Sequence, residues 1–312
     1  MRRGSPQSWK GTLNVILERR AAIVRGMRRF FDERGFVEVE TAVRIAAPAP
    51  EEHIDCPVVA DGATAQGGIP PRIEGMRGVS FLRASPELQM KKLLAAGMER
   101  IYQIGPCFRE GEVGSRHSQE FTMLEWYRRD ATYMDVKADL EALYVELSGS
   151  AAGFRDLRVR DAYLEHAGWD PWAAWDQDRF DFDMATKIEP AIKAAGGGVF
   201  LVDYPPQAAS LARVSADAAS GLPRAERWEF YLDGLELANC FTELCDRDEQ
   251  ARRFEAARAA RRALGESEYP QDAGFLDALP SVGSAAGAAL GVDRLVMALT
   301  GIKEISAVRA EI

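Results

Sequence analysis

Residues 228–244, WEFYLDGLELANCFTEL, restrict the fold more than any other stretch of the chain. Asp233-Gly234 separates two runs rich in aromatic and apolar residues, and an Asp-Gly pair is the strongest short signal for a two-residue hairpin turn with positive φ at both positions. The fold must therefore accommodate an antiparallel sheet. Pairing outward from the turn sets Leu232 against Leu235, Tyr231 against Glu236 and Glu229 against Ala238. Glu229 and Glu236 then share a face, diagonal to each other at roughly 7 Å, close enough to hold one divalent ion between them. Asn239, Phe241 and Glu243 continue the second strand, and a bulge is needed to bring Asn239 to the side of Glu236.

A second strand signal runs through RHSQEFTMLEWY, residues 116–127. Alternation places Phe121, Met123, Glu125 and Tyr127 on one face, so a carboxylate lies within an apolar stripe. A buried, unpaired Glu is costly, and Glu125 must meet a cation that belongs either to the protein or to something it binds. Glu243 poses the same question.

Around these strands the pattern alternates in type. Apolar residues recur at helical spacing from Thr12 to Arg34, stopped by Gly35, and FVEVET follows as a strand. Residues 46–78 are rich in Ala, Gly and Pro and read as a loop with room for short strands. Ser85-Pro86-Glu87 opens a helix to Met98, two strand-like segments follow, and a helix spans about Tyr133 to Ser148. A mixed region of about 150–200 reads as a helical insertion. An Arg/Ala-rich helix covers about Asp248 to Leu264, and a glycine-rich strand, GAALGVDRL, runs into a last helix with Asp293 as its N-cap. Arg294 sits where the helix dipole opposes a cation, which an anionic or aromatic partner would relieve. Long antiparallel strands with helices on one side indicate an α+β domain.

Composition excludes several classes. No apolar run approaches the ~20 residues of a membrane span, and the polar N-terminus lacks a signal core, so a cytoplasmic protein is expected. Four cysteines without CxxC pairs and three histidines indicate neither a zinc site nor a disulfide framework. A formal charge of −9 argues against wrapping a nucleic-acid backbone.

Three pieces together resemble class II aminoacyl-tRNA synthetases: the helix and strand ending FVEVET (motif 1), CFRE with RHSQEFTMLEWY (motif 2), and GAALGVDRL (motif 3). SPELQMKKLL, EFTMLEWY and ELANCFTEL resemble the lysyl branch, above all the freestanding ligases that attach a β-lysyl group to elongation factor P. The resemblance implies a single catalytic domain over 12–312 behind a tail of residues 1–11, an antiparallel sheet flanked by helices, and a homodimer formed through motif 1. Too few residues precede motif 1 for an OB-fold anticodon-binding domain, which with the negative charge weighs against tRNA as acceptor and for elongation factor P.

The roles the resemblance implies follow from end to end of an aminoacyl adenylate. Phe121 stacks on the adenine of ATP, Glu112 stands nearest the position where motif 2 usually has a glutamate, here Gly111, and Arg116 and His117 hold the outer phosphates. Arg109 bridges carboxylate and α-phosphate, and Arg294 serves the γ-phosphate and adenine face. Glu229 and Glu236 hold Mg²⁺, with Glu236 also at the nucleotide. Glu125, Tyr127 and Glu243 receive the side-chain ammonium of lysine, while Glu87 and Asn239 handle the other amine and the carboxylate. Four residues of strand span ~13 Å, about the reach from nucleobase to far amine, so one face of the 121–127 strand can read the whole intermediate. Ala289 and Ser85, where lysyl-tRNA synthetases tend to carry Gly and Ala, are expected to favour (R)-β-lysine over α-lysine.

Overall fold

The alternation at residues 120–129 forms a ten-residue strand at the centre of the molecule, and the rest of the chain is arranged on its two faces. The computed structural model describes residues 6–60, 79–150 and 153–310. Residues 1–5, and the second half of the stretch expected to be a loop, lie outside them.

Helix α1 (Pro6–Glu33) is followed by strand β1 (Val37–Glu38). The helix starts six residues before the expected Thr12, because Pro6 is suited to a first helical turn and the polar residues after it carry no helix stop. FVEVET gives only the two residues of β1, paired in parallel with Ile101 and Tyr102. Beyond them the Thr41 amide leaves the ladder and donates to Oε1 of Gln103 at 2.9 Å. Strands β2 (Arg44–Ile45), β3 (Val58–Ala60) and β4 (Val79–Leu82) make a small separate sheet. Helix α2 (Glu87–Ala95) and strands β5 (Arg100–Phe108) and β6 (Glu120–Arg129) come next, then helix α3 (Tyr133–Ser148).

The region expected to be a helical insertion begins with β7 (Phe154–Arg158), a strand of the main sheet. Helices α4 (Val159–Ala162), α5 (Gln177–Asp183) and α6 (Glu189–Ala195), extended by π-helical turns, then cross over to β8 (Gly198–Tyr204), which pairs with β7 in parallel. The segment is thus built into the sheet, with its own apolar cluster around Tyr163, Phe180 and Ile192.

Strand β9 (Val214–Ala216) flanks β10 (Pro223–Leu232), which turns through Asp233 and Gly234 into β11 (Leu235–Thr242). Both turn residues have positive φ, 50° and 75°, as the Asp-Gly pair requires. Helices α7 (Arg247–Leu264) and α8 (Ala273–Ala278), strand β12 (Ala285–Gly291) and helix α9 (Val292–Thr300) complete the chain. The main sheet runs β1-β5-β6-β12-β11-β10-β8-β7, antiparallel except at its two ends.

One face of this sheet buries Trp126, Trp228, Phe230 and Leu290 against Phe30 and Phe31 of α1, Val136 and Leu140 of α3, and Leu295 and Val296 of α9. The other face, left open at its centre, carries the cavity described next. Among the described residues no helix is long and apolar enough to cross a membrane.

Candidate active site

The open face holds a cavity of about 500 Å³, and every candidate residue named from the sequence lines it except Glu243. Strand register explains the assembly. Gln103, Glu125, Ala289, Asn239 and Glu229 lie directly opposite one another across β5, β6, β12, β11 and β10, so one row of side chains crosses the cavity floor. Beside it runs a second row of Tyr127, Gly287, Phe241 and Arg227.

The hairpin pairs Tyr231 with Glu236 as expected, but Glu229 stands opposite Asn239 and not Ala238. Phe230 opposes Ala238, which leaves Leu237 as the extra residue of a bulge. That bulge returns Asn239 to the side of Glu236, the irregularity that the spacing demanded.

Gly287 is needed for close approach. A Cβ there would lie 2.1 Å from Cδ1 of Tyr127, whose ring lies across the glycine backbone. Gly287→Ala should displace Tyr127 and cost about 1 to 3 kcal/mol as overpacking does. Urea unfolding would read the stability, and substrate KM would read the displaced hydroxyl.

At one pole of the cavity stand the buried carboxylates of Glu87 and Glu125. Glu125, 2% exposed, accepts hydrogen bonds from Oγ of Ser85 at 3.0 and 3.1 Å and from the Tyr127 hydroxyl at 3.2 Å, and among the described residues no cation pairs with it. Ser85 also accepts the Glu87 amide at 3.0 Å, so its hydroxyl hydrogen is directed to Glu125. Burial, reinforced by Glu87, pushes the Glu125 carboxyl up to about 8.

Glu243 differs from its expected placement. It lies outside the cavity lining, and its carboxylate pairs with Nζ of Lys91 at 2.5 Å, the same ammonium that meets Glu87 at 2.5 Å. Burial works against the charge on Lys91, but Glu243 and then Glu87 more than reverse this and raise its pKa. The cation that Glu243 required is thus the protein's own. Lys91 escaped the sequence reading, although its position four residues after Glu87 on a helix was the available signal.

At the other pole, Arg109 lies 5.1 Å from the Phe121 ring centroid and 3.5 Å from Glu112, and its Nε is a buried donor without a partner. Arg294 donates to the Glu236 carbonyl at 3.0 Å and faces its carboxylate at 3.4 Å, which supplies the anion that its place on α9 demanded. Its Nη2 is 2.7 Å from Nε2 of His117. Burial and then Arg294 lower the His117 pKa, so the neutral ring accepts that hydrogen bond and orients the guanidinium. Asp293 does not cap α9, since Gly291 holds that position. Its buried carboxylate instead accepts the Thr122 amide at 2.8 Å and pairs with Arg20 of α1 at 2.5 Å.

Glu229 and Glu236 both face the cavity, but Glu229 already pairs with Arg227 at 2.6 Å and accepts from the Tyr231 hydroxyl at 2.8 Å. Arg227 is a further residue missed in the sequence, although strand alternation puts it on the same face as Glu229. Burial and then Glu229 raise the pKa of Glu236, and Arg294, Arg109 and Arg227 oppose the rise. Among the described residues no group of three or more His, Cys, Asp or Glu is placed to hold a metal ion. The two hard oxygen donors therefore suit a divalent cation that brings further oxygen ligands with it.

Comparisons with known proteins identify the family. Residues 9–310 match the family described as tRNA synthetases class II (D, K and N). The chain is 34% identical to an elongation factor P–(R)-β-lysine ligase of Yersinia enterocolitica, covering 97% of each chain. It is 35% identical to ligases of the same name from Proteus mirabilis, over 97% of this chain and 96% of the relative, and from Actinobacillus succinogenes, over 97% of each.

Proposed function

From the premise that this chain belongs to the class II tRNA synthetase family, we propose that it is an ATP-dependent ligase that activates (R)-β-lysine as an adenylate and transfers it to a lysine side chain of elongation factor P. One observation carries the substrate class. Glu87 and Glu243 share the single ammonium of Lys91 and Glu125 has no ion pair among the described residues, so with all three carboxylates ionised the buried pole is two positive charges short. A guest with two ammonium groups neutralises it.

The chain's own residues account for the order of events. Phe121 offers its ring to the adenine, and Arg294 and Arg116 face the outer phosphates, with His117 orienting Arg294. Arg109, with its unpartnered Nε, draws together the substrate carboxylate and the α-phosphate. That carboxylate is itself the nucleophile, so the first step needs no general base: it attacks phosphorus, and pyrophosphate leaves as the arginines offset the growing charge. Glu229 and Glu236 would hold Mg²⁺, which supplies further charge neutralisation at the phosphates when bound. A homodimer with α1 at its interface, and a protein acceptor in place of tRNA, complete the reading.

ATP–pyrophosphate exchange with α-lysine and (R)-β-lysine side by side tests it. The expected result is exchange with both and preference for (R)-β-lysine, followed by label transfer to elongation factor P. Exchange with neither, or stable charging of tRNA alone, would overturn the reading.

Ala289 lies directly opposite Glu125, so its methyl borders the place where the substrate amines are held. A methyl-sized change is worth about 1 to 3 kcal/mol, and Ala289→Gly should shift the kcat/KM ratio toward α-lysine by about tenfold or more. Exchange kinetics with the two isomers measure that shift.

The raised Glu125 carboxyl gives substrate binding a pH dependence. An acid whose folded pKa lies above its unfolded 4.5 takes up a proton on folding, so the free enzyme loses stability as pH rises from 4.5 through about 8. An ammonium beside Glu125 reverses the shift and expels that proton. KM for β-lysine should fall as pH rises toward about 8 and then level off. Calorimetry in buffers of different ionisation enthalpy should register proton release on binding below that pH.

A further inference from the structure

Glu51 is a carboxylate that this reading leaves without a task. It lines the same cavity, on the segment between β2 and β3, and its side chain makes no hydrogen bond or ion pair with another described residue. The segment has no regular structure of its own there, yet it is firmly held. Arg261 of α7, 1% exposed, donates through Nη1 to the Glu51 carbonyl at 2.9 Å and to the Glu52 and Ile54 carbonyls at 3.4 Å. Through Nη2 it reaches Asp55 at 2.5 Å. A buried guanidinium thus fixes the backbone of an otherwise unpaired acid at the cavity wall.

The charged groups that act on Glu51 locate it. They are Arg109 of the β5–β6 connection, Glu87 and Lys91 of α2 and Arg227 of β10, while the neighbouring Cys56 senses the Glu51 charge in turn. Arg109, where the carboxylate is activated, and Glu87, where an amine is held, line the same cavity as Glu51. Glu51 lines the cavity without an ion pair to another described residue, so its carboxylate can meet an incoming ammonium.

Resting on the function proposed above, we propose that Glu51 receives the acceptor lysine's ε-ammonium and takes its proton before attack. The neutral amine nitrogen then forms a bond to the activated carbonyl carbon, and the carbon–oxygen bond to phosphate breaks with its electron pair leaving on AMP. The second nitrogen proton passes to the departing phosphate oxygen as the amide forms. Burial raises the Glu51 pKa, with Arg109 opposing and Glu87 adding to the rise, which makes it the stronger base.

The test compares the full-length protein with Glu51→Gln and Glu51→Asp, using elongation factor P and, separately, hydroxylamine, an amine already neutral at pH 7. Glu51→Gln should keep ATP–pyrophosphate exchange near the parent rate. It should lose about 100-fold or more in single-turnover transfer to the protein lysine, the usual contribution of a general base. Transfer to hydroxylamine should be unchanged, Glu51→Asp should recover part of the loss, and the pH profile of Glu51→Gln should climb toward the lysine's own pKa. Parent-like transfer to the protein lysine would overturn the proposal, as would equal losses in exchange, in hydroxylamine capture and in transfer, which would make Glu51 a substrate-amine ligand. Failure of the parent itself to support exchange with any lysine isomer would remove the function proposed above, and this inference with it.

Discussion

Replacing Lys91 by methionine is expected to lower the unfolding free energy by about 3 to 5 kcal/mol, the cost of removing one partner from a buried ion pair. The side chain is 1% exposed and is the shared counter-ion of Glu87 and Glu243, so its loss leaves two carboxylates facing each other away from water. Methionine fills similar volume and adds no cavity, which isolates the charge term. The pair will escape by protonation, and the Glu243 carboxyl, already raised by burial, will rise further above its unfolded value. The deficit should therefore be smallest below about pH 4.5 and grow as pH increases. Urea unfolding at several pH values measures it. Adding Glu243→Gln to Lys91→Met should restore part of the loss, a coupling that a purely steric role for Lys91 would not produce.

Arg109→Ala is expected to reduce the rate of pyrophosphate exchange by about 100- to 1000-fold, as loss of a transition-state charge stabiliser does. The guanidinium is held between Phe121 and Glu112 with Nε unpartnered, so folding alone does not satisfy it. Unfolding curves should change little, because its only ion pair among the described residues, at 3.5 Å, is partly exposed and weak. Arg109→Lys should recover little of the rate, since an ammonium lacks the planar fork that suits two oxygens at once. Single-turnover exchange with saturating ATP separates this effect from loss of nucleotide affinity.

Features set by near neighbours in the chain were legible in the sequence. The Asp233-Gly234 turn, the shared face of Phe121, Met123, Glu125 and Tyr127, and the Arg/Ala-rich helix depend on residues a few positions apart, and the structure has all three. The need for a bulge could be read from spacing, although the residue carrying it could not. What failed to show was whatever the fold brings together from distant segments. Lys91 reaches Glu243, one residue past the end of β11, only after the seven strands β5 to β11 that separate them in the chain are in place, and Arg261 clamps the Glu51 backbone across 210 positions. The strand at the start of the expected insertion was hidden for a related reason: its alternation is weak because one side of it lies at a sheet edge. Asp293 was misjudged because β12 passes into α9 without a loop, so the residue that resembled a cap belongs to the first helical turn, and its partners come from α1 and β6.

The stiffness of β6 has a consequence for which guests the cavity can serve. Strand β5 is laddered to it from Glu120 to Arg128 and β12 from Met123 to Arg129, so the backbone spacing between positions 121 and 125 is a fixed gauge. A diamine one methylene too short, anchored by its adenosine end, stops before the carboxylate and leaves that charge in the dry interior. Selection by length is thereby written into backbone geometry, and evolution toward a shorter or longer guest must proceed by moving the anchoring groups at either end of the strand.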